Sequence, residues 1–360
     1  MIKKIGIVTG GGDCPGLNAV IRAVAKAAAM RGWETLGILG GYEGLLEPRQ
    51  FMALDYNALG GLLTRGGTIL GTANRGKFSA KTGHGEGRQL PKELLDATKA
   101  GMDALGLSAL VSIGGDGSLS IALQMGAHGI PIVGVPKTID NDLDGTLLTF
   151  GFDSAVACAT DALDRLHTTA ESHNRVMVLE VMGRYAGWIA IYAGIAGGAD
   201  VILIPEIPFT WDSMVAKVRE REAKGKKFTL VIVAEGAREK GGGFVTAGAQ
   251  EANREARLGG IGAVVTAELE KRTGKEARCC VLGHLQRGGS PTTFDRVLCS
   301  MFGAVAVDLI AAGDFGKMVA FTGQHVGSVT IADAVGRLKT VPPEGGLVQT
   351  ARALGMSLGD

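Results

Sequence analysis

The chain has 360 residues, 46% of them apolar, with a formal net charge of +1. That is enough chain for two domains with sizeable cores, and too little net charge to recruit nucleic acid or a membrane surface through a global field. Glycine is abundant, at 57 residues, but it is not periodic and proline is scarce, which excludes collagen and low-complexity disorder.

The opening "MIKKIGIVTG" imitates a secretory leader for four residues. Its apolar run then stops at glycines without a cleavage site, so no leader is expected. No run of 18 apolar residues occurs, so no membrane span is expected either. Cys14, Cys158, Cys279, Cys280 and Cys299 form no CxxC pair and no metal-ligand spacing. They point to a reduced, cytoplasmic protein with small buried thiols.

In chain order, strands are predicted over "IGIVTG" (5–10), "ETLGIL" (34–39), "ALVSIG" (109–114), "IVGVP" (132–136), "RVMVLEVM" (175–182), "ADVILIP" (199–205), "FTLVIVAEG" (228–236), "ARCCVLGHL" (277–285) and "KMVAFTG" (317–323). These are continuous apolar runs rather than alternations, as in parallel strands buried on both faces. Helix-like segments lie between them: "LNAVIRAVAKAAAMRG", "PKELLDATKAGMDALG", "SAVACATDALDRLHTT", "WDSMVAKVREREAKG" and "FDRVLCSMFGAVAVDLIAAG". Alternating strand and helix predicts a doubly wound α/β fold, whose ligands sit at the carboxyl ends of the strands. The hydrophilic stretches 72–92 and 237–250 read as surface loops. No linker separates two halves, so intimate packing is expected, with the chain crossing between domains.

The chemistry falls at those strand ends. "GGGDCPGLN" (10–18) joins a strand to a helix, and its glycines let backbone N–H groups approach a phosphate. It is neither a Walker loop nor a dinucleotide fingerprint; the plain alternative is a tight turn. "GGDGS" (114–118) opens another helix. There Asp116 either binds Mg²⁺ or, with Ser118, caps the helix. "PKTIDND" (136–142) supplies Asp140 and Asp142 as candidate bases for a hydroxyl, Thr138 as a hydrogen bonder, and Lys137 for an anionic ligand. The alternative is a solvated turn. Arg175 and Arg184 flank one strand, and Arg278, His284 and Arg287 accompany another, where guanidinium forks suit phosphate. One metal-binding acid, one base, glycine turns and arginines, without a covalent nucleophile, fit phosphoryl transfer.

Together "GGGDCPGLNAVIR", "GGTILGT", "IGGDGS", "PKTIDND", "GFDSA", "SHNR", "EVMGRYAGW" and "GHLQRGGSP" resemble the 6-phosphofructokinase family over nearly the whole chain. The resemblance implies phosphoryl transfer to the 1-hydroxyl of fructose 6-phosphate, with Mg²⁺ as cofactor. It implies two doubly wound, mainly parallel, three-layer domains with the active site in the cleft between them. Residues 1–150 with about 286–336 would form the larger, donor-binding domain; about 151–285 with 337–360 would form the smaller, fructose 6-phosphate-binding one.

Residue by residue, the resemblance makes Asp140 the base, with Thr138 and Arg184 acting beside it. Asp116 becomes the metal ligand. Gly12, Gly115, Asp116, Gly117 and Ser118 form the donor cradle, joined by Asn74 or Arg75. Thr138, Ile139, Asp142, Met182, Gly183, Arg184 and Glu235 attend the sugar. His284 and Arg287 grip its 6-phosphate, which Arg175 and Arg278 reach from a neighbouring subunit of a dimer or tetramer.

The chain also departs from the family pattern. "GTANR" stands where bacterial allosteric members have "GSAR". Arg22, Lys26 and "GKK" (225–227) match basic residues of an effector site, but His167 stands where an arginine is common. Gly117 is the mark of ATP-using members and Lys137 that of pyrophosphate-using ones, so both donors stay open, with ATP expected. An NAD- or lipid-kinase relative and a non-catalytic sugar-phosphate sensor are the competing readings; the first rests on "GGDG" alone, and intact Asp116 and Asp140 weigh against the second.

Overall fold

The computed structural model describes residues 2–73, 76–78, 89–246 and 258–360. The chain begins with β1 (Lys4–Thr9), α1 (Leu17–Ala29), β2 (Glu34–Ile38) and β3 (Phe51–Ala53). After a stretch containing two short 3₁₀ turns come α2 (Lys92–Ala104), β4 (Ala109–Gly114), α3 (Asp116–Ala127) and β5 (Ile132–Pro136). The middle of the chain holds α4 (Phe152–His173), β6 (Val176–Val181), α5 (Trp188–Ala196), β7 (Val201–Leu203), α6 (Trp211–Ala223), β8 (Thr229–Ala234), α7 (Ile261–Thr273) and β9 (Ala277–Val281). The last part holds α8 (Thr293–Ala312), β10 (Lys317–Phe321), β11 (Val326–Thr330), α9 (Ile331–Val335) and α10 (Gly346–Ala353).

Two sheets result. The larger runs β11-β10-β5-β4-β1-β2-β3, and the smaller runs β7-β8-β6-β9. Every pairing is parallel except those of the outermost strands β3 and β11 of the larger sheet. All nine predicted strands form. Among the described residues the two missed are those antiparallel edges: β3 is only three residues long and exposed, and β11 is interrupted by Gly327 and Ser328.

Side chains of the strands alternate between faces, and the cores follow. In β4, Val111 and Ile113 join a central cluster while Leu110 joins an outer one packed by α2, α3 and α9. In β6, Leu179 and Val181 join the same central cluster, while Val176 and Val178 face α6 and α7. The central cluster therefore runs unbroken between the sheets through α1, α4, α5 and α8. Its tightest helix contact is α1 on α8, where Gly303 permits close approach: a Cβ there would stand 2.9 Å from the Val24 nitrogen. Burying each Leu, Ile or Val of this layer contributes roughly 1.5–3 kcal/mol.

Helix α1 starts where Gly16 adopts φ 107°, a conformation only glycine takes without strain; a Cβ would also lie 2.8 Å from Cys299 Sγ. Its apolar residues Leu17, Val20, Ile21, Val24 and Ala28 recur at helical spacing and are buried. Helix α4 is anchored by Asp295 at the start of α8. That carboxylate accepts from the Gly151 and Ser154 amides at 3.1 and 2.9 Å and from Ser154 Oγ at 2.6 Å. Cys14 and Cys299 are buried, but Cys279 on β9 is exposed, contrary to the expectation of buried thiols throughout: β9 is an edge strand of the smaller sheet.

Candidate active site

Three strand ends of the larger sheet converge. A Cβ on Gly10 would meet Ser118 Oγ at 2.4 Å, and one on Gly114 would meet Ser118 Cβ at 2.3 Å. A Cβ on Gly115 would lie 3.1 Å from the Lys137 carbonyl. The turns after β1 and β4 thus close around the Ser118 side chain, and the turn after β5 lies against Gly115 through backbone, so larger residues at these glycines would part them. Helices α1 and α3 begin in this region, neither with a side-chain cap. Gly117 differs from these glycines: a Cβ there meets nothing within 4 Å, so its side-chain position opens into space.

The segment after β5 carries the charges. Lys137 is 4% exposed, and its ammonium donates to the Gly12 carbonyl beneath the first turn. Burial pushes its pKa down from the ordinary lysine value. Thr138 Oγ1 accepts from the Asp140 amide at 3.1 Å. Asp140 is 4% exposed, and its Oδ1 has no hydrogen-bond partner, which is costly for a buried carboxylate. Asn141 adopts φ 51°, in the left-handed region, with Oδ1 accepting from the Thr149 amide at 3.1 Å. Burial first, then the Asp140 charge, push the Asp142 carboxyl up to about 6. Asp116, at the first residue of α3, adds a smaller contribution of the same sign.

The smaller sheet supplies the facing wall. Gly183 and Arg184 follow β6 with positive φ of 140° and 50°. Glu235, just after β8, accepts from the Arg184 amide at 3.1 Å. A Cβ on Gly236 would meet the Arg184 carbonyl at 1.9 Å, so glycine is needed there. Burial, then the Asp140 charge, push Glu235 up to about 7. Glu235 of one sheet and Asp140 of the other are thus near enough for their charges to interact. Met182 is held through its amide by Gln286 Oε1 at 2.8 Å. Arg287 lies against the first glycine turn and donates to the Asp13 carbonyl at 3.2 Å. His284 is exposed beside it on the turn Gly283–Arg287.

The predicted residues do not all converge. Ile139 is fully buried in the central cluster, leaving only its backbone for a ligand. Arg175 precedes β6 at its amino end, about 20 Å of strand away from Val181. It and Arg278 both pair with Glu276, at the end of the sheet away from the cleft. Asn74 and Arg75 lie outside the described residues. His167 and Lys226 line a separate cavity of about 650 Å³ with Asp200 and Arg221. Among the described residues, no group of three or more His, Cys, Asp or Glu is placed to hold a metal ion. Sequence reasoning missed Gln286, which sat within a quoted motif unread, and Lys339, which no motif marked.

Glycine turns and a buried carboxylate gathered at neighbouring strand ends of a parallel sheet, with Arg184 and Glu235 of a second sheet close by, are the arrangement of an α/β phosphotransferase. The family model "Phosphofructokinase" matches residues 4–310. The ATP-dependent 6-phosphofructokinase of Chloroflexus aggregans is 53% identical over 358 residues, spanning 99% of this chain and 98% of that protein. The pyrophosphate–fructose 6-phosphate 1-phosphotransferase of Amycolatopsis methanolica is 48% identical over 343 residues, 95% of this chain and 97% of that one. Among solved structures, the phosphofructokinase of Pichia pastoris in the T-state matches with a TM-score of 0.80 at 31% identity, covering 98% of this chain and 36% of that one. The chain belongs to the phosphofructokinase family.

Proposed function

We propose that the chain transfers the terminal phosphoryl group of ATP to the 1-hydroxyl of fructose 6-phosphate, giving fructose 1,6-bisphosphate and ADP. The observation that carries this reading is Asp140: a buried carboxylate with an unpartnered Oδ1, facing the cleft where the glycine turns meet the smaller sheet. An oxygen kept without a partner is available to take the hydroxyl proton. Thr138 orients the segment through the Asp140 amide. Glu235, with Met182, Gly183 and Arg184, binds sugar hydroxyls, and Arg287 with His284 takes the 6-phosphate. Gly12, Gly115, Gly117 and Ser118 cradle the donor phosphates.

Asp116 would hold Mg²⁺. A single carboxylate suits this ion, which takes its remaining oxygens from phosphates and water. When bound, Mg²⁺ neutralises charge on the donor phosphates. The chain's own residues bind, orient and accept the proton.

ATP is the preferred donor in this reading because the space at Gly117 lets a nucleotide continue past its β-phosphate. Lys137 is the observation that favours pyrophosphate; one of its three N–H groups donates to the Gly12 carbonyl, and the other two leave both phosphoryl donors open to it. We take residues 1–150 with about 286–336 as the donor-binding domain and about 151–285 with 337–360 as the sugar-binding one. Arg175 and Arg278 complete the 6-phosphate site of a second copy, so the enzyme works as a homo-oligomer. No described helix is long and apolar enough to cross a membrane, and we place the enzyme in the cytoplasm. The deciding experiment measures fructose 1,6-bisphosphate formation with Mg-ATP and with Mg-pyrophosphate in parallel. Turnover with ATP is expected; turnover with pyrophosphate alone would overturn the donor assignment, and none with either would overturn the activity.

A further inference from the structure

We propose that Lys339 is a positioning residue: it holds the loop that carries Asp140 in reacting geometry and ties that loop to the helix behind the Met182–Arg184 segment. This rests on the reading of Asp140 as the base.

Asp140 Oδ1 is held by no protein group, so its place is set by the backbone that carries it. That backbone turns at Asn141, in a left-handed conformation that asparagine tolerates, and what fixes the turn is the set of contacts made to it and to the residues after it. Lys339 supplies three of these. Its ammonium donates to Asn141 Oδ1 at 2.9 Å and to the Thr146 and Leu147 carbonyls at 2.9 and 3.0 Å. An ammonium has three N–H donors, and all three are used. Lys339 therefore has none left for a substrate, which separates a clamp from a ligand-binding lysine.

The backbone of the same residue makes two further links. Its amide donates to the Asp142 carbonyl at 2.9 Å, beside an antiparallel bridge between Leu143 and Leu338. Its own carbonyl accepts from Trp188 Nε1 at 2.9 Å. Trp188 begins α5, which follows Arg184 in the chain. Two residues on, the Val341 amide donates to Glu206 Oε1 at 2.8 Å, and Glu206 also accepts from the Gly187 amide at 3.0 Å. One residue thus touches the base loop with its side chain and amide, and the sugar-side helix with its carbonyl. Burial that pushes the Lys339 ammonium down to about 8, despite nearby Asp142 and Asp144, agrees with a clamp enclosed by protein.

The test is kinetic. Lys339→Met keeps the stem and removes the three donors. It is expected to lower kcat by about 10²-fold, the usual scale for misplacing a reacting group by an ångström, with KM for both substrates nearly unchanged. Lys339→Arg, which keeps the charge, should recover part of the loss. Because the clamp acts through Asp140, adding Lys339→Met to Asp140→Asn should slow the enzyme little further. Wild-type kcat in Lys339→Met, or losses that multiply in full in the double variant, would overturn the proposal. Should Lys339→Met fail to fold, Trp188→Phe removes only the indole donor: a lowered kcat at unchanged KM supports the coupling, and an unchanged kcat overturns it. Asp140→Asn at wild-type speed would instead remove the base assignment, so the two failures are distinct.

Discussion

The Lys137 ammonium donates to the Gly12 carbonyl, so the lysine of the base loop props up the first glycine turn from beneath. That contact uses one of its three N–H donors. Position 117, where a Cβ meets nothing within 4 Å, stays open. Gly117→Asp should therefore fold with an unchanged melting temperature. It should lose ATP turnover by about 10²-fold or more, because a carboxylate would stand where donor charge is stabilised. Steady-state rates with ATP and pyrophosphate check this, and pyrophosphate turnover gained by the variant would show that Lys137 serves both donors. Full ATP activity would show that the donor passes elsewhere.

Asp140→Asn should cut kcat by roughly 10²–10⁴ while leaving fructose 6-phosphate binding largely intact. The same change removes a buried charge whose Oδ1 has no partner, so the melting temperature should hold or rise. Turnover and thermal unfolding on one preparation test both halves. A large fall in stability would mean that Asp140 is held by contacts that its geometry does not reveal.

Glu235 carries a pH signature. Its carboxyl is raised to about 7 by burial and by Asp140. Folding is thus favoured by the neutral form, a contribution fully present below the unfolded value and lost as pH rises through about 7. Glu235→Gln lacks this dependence, so its stability relative to wild type should improve as pH rises. Binding runs the other way. Only the carboxylate accepts from two sugar hydroxyls, so wild-type KM for fructose 6-phosphate should fall as pH rises through about 7. The Gln variant should show a flatter profile at a KM raised roughly 10-fold or more, the equivalent of one charge-assisted hydrogen bond. Parallel profiles in both proteins would assign the dependence to the substrate phosphate.

Arg278→Ala should raise KM for fructose 6-phosphate by roughly 10- to 10²-fold, with a much smaller effect on kcat. Within one chain Arg278 pairs with Glu276, at the other end of the smaller sheet from Glu235, so an effect on KM would be made through a second copy. Mixing it with an Arg287→Ala variant should restore some sites that hold both arginines. An unchanged KM would leave Arg278 as a surface ion pair.

Much of this was readable in the residues because buried parallel strands advertise themselves. "ALVSIG" and "IVGVP" are apolar on both faces, and their ends mark where a ligand must lie. The strand "FMA" is apolar but only three residues long and exposed at all three, too short a run to stand out. Helix α5, "WIAIYAGIA", is apolar on every side and shows no helical periodicity to read. The cradle and the base were legible for a similar reason, as glycines and acids crowded at strand ends. Lys339 was not, because it meets Asn141 across 198 residues of sequence and only the folded chain brings them together. Arg175 and Arg278 were legible through the family resemblance, and their ion pairing to Glu276 within one chain was not.

The order of strands in the larger sheet has a consequence for synthesis. β5 pairs with β4 on one side and with β10 on the other, yet β10 is made about 180 residues later, after the entire smaller sheet. Until Lys317 has left the ribosome, the nascent chain carries β5 as an open edge, a template for pairing with a neighbouring polypeptide. The tail then returns to the smaller sheet, where the Ser357 carbonyl accepts from the Ile202 amide at 2.9 Å. Neither sheet can therefore be completed from its own stretch of chain: the larger waits for β10, and the smaller for the segment around Ser357.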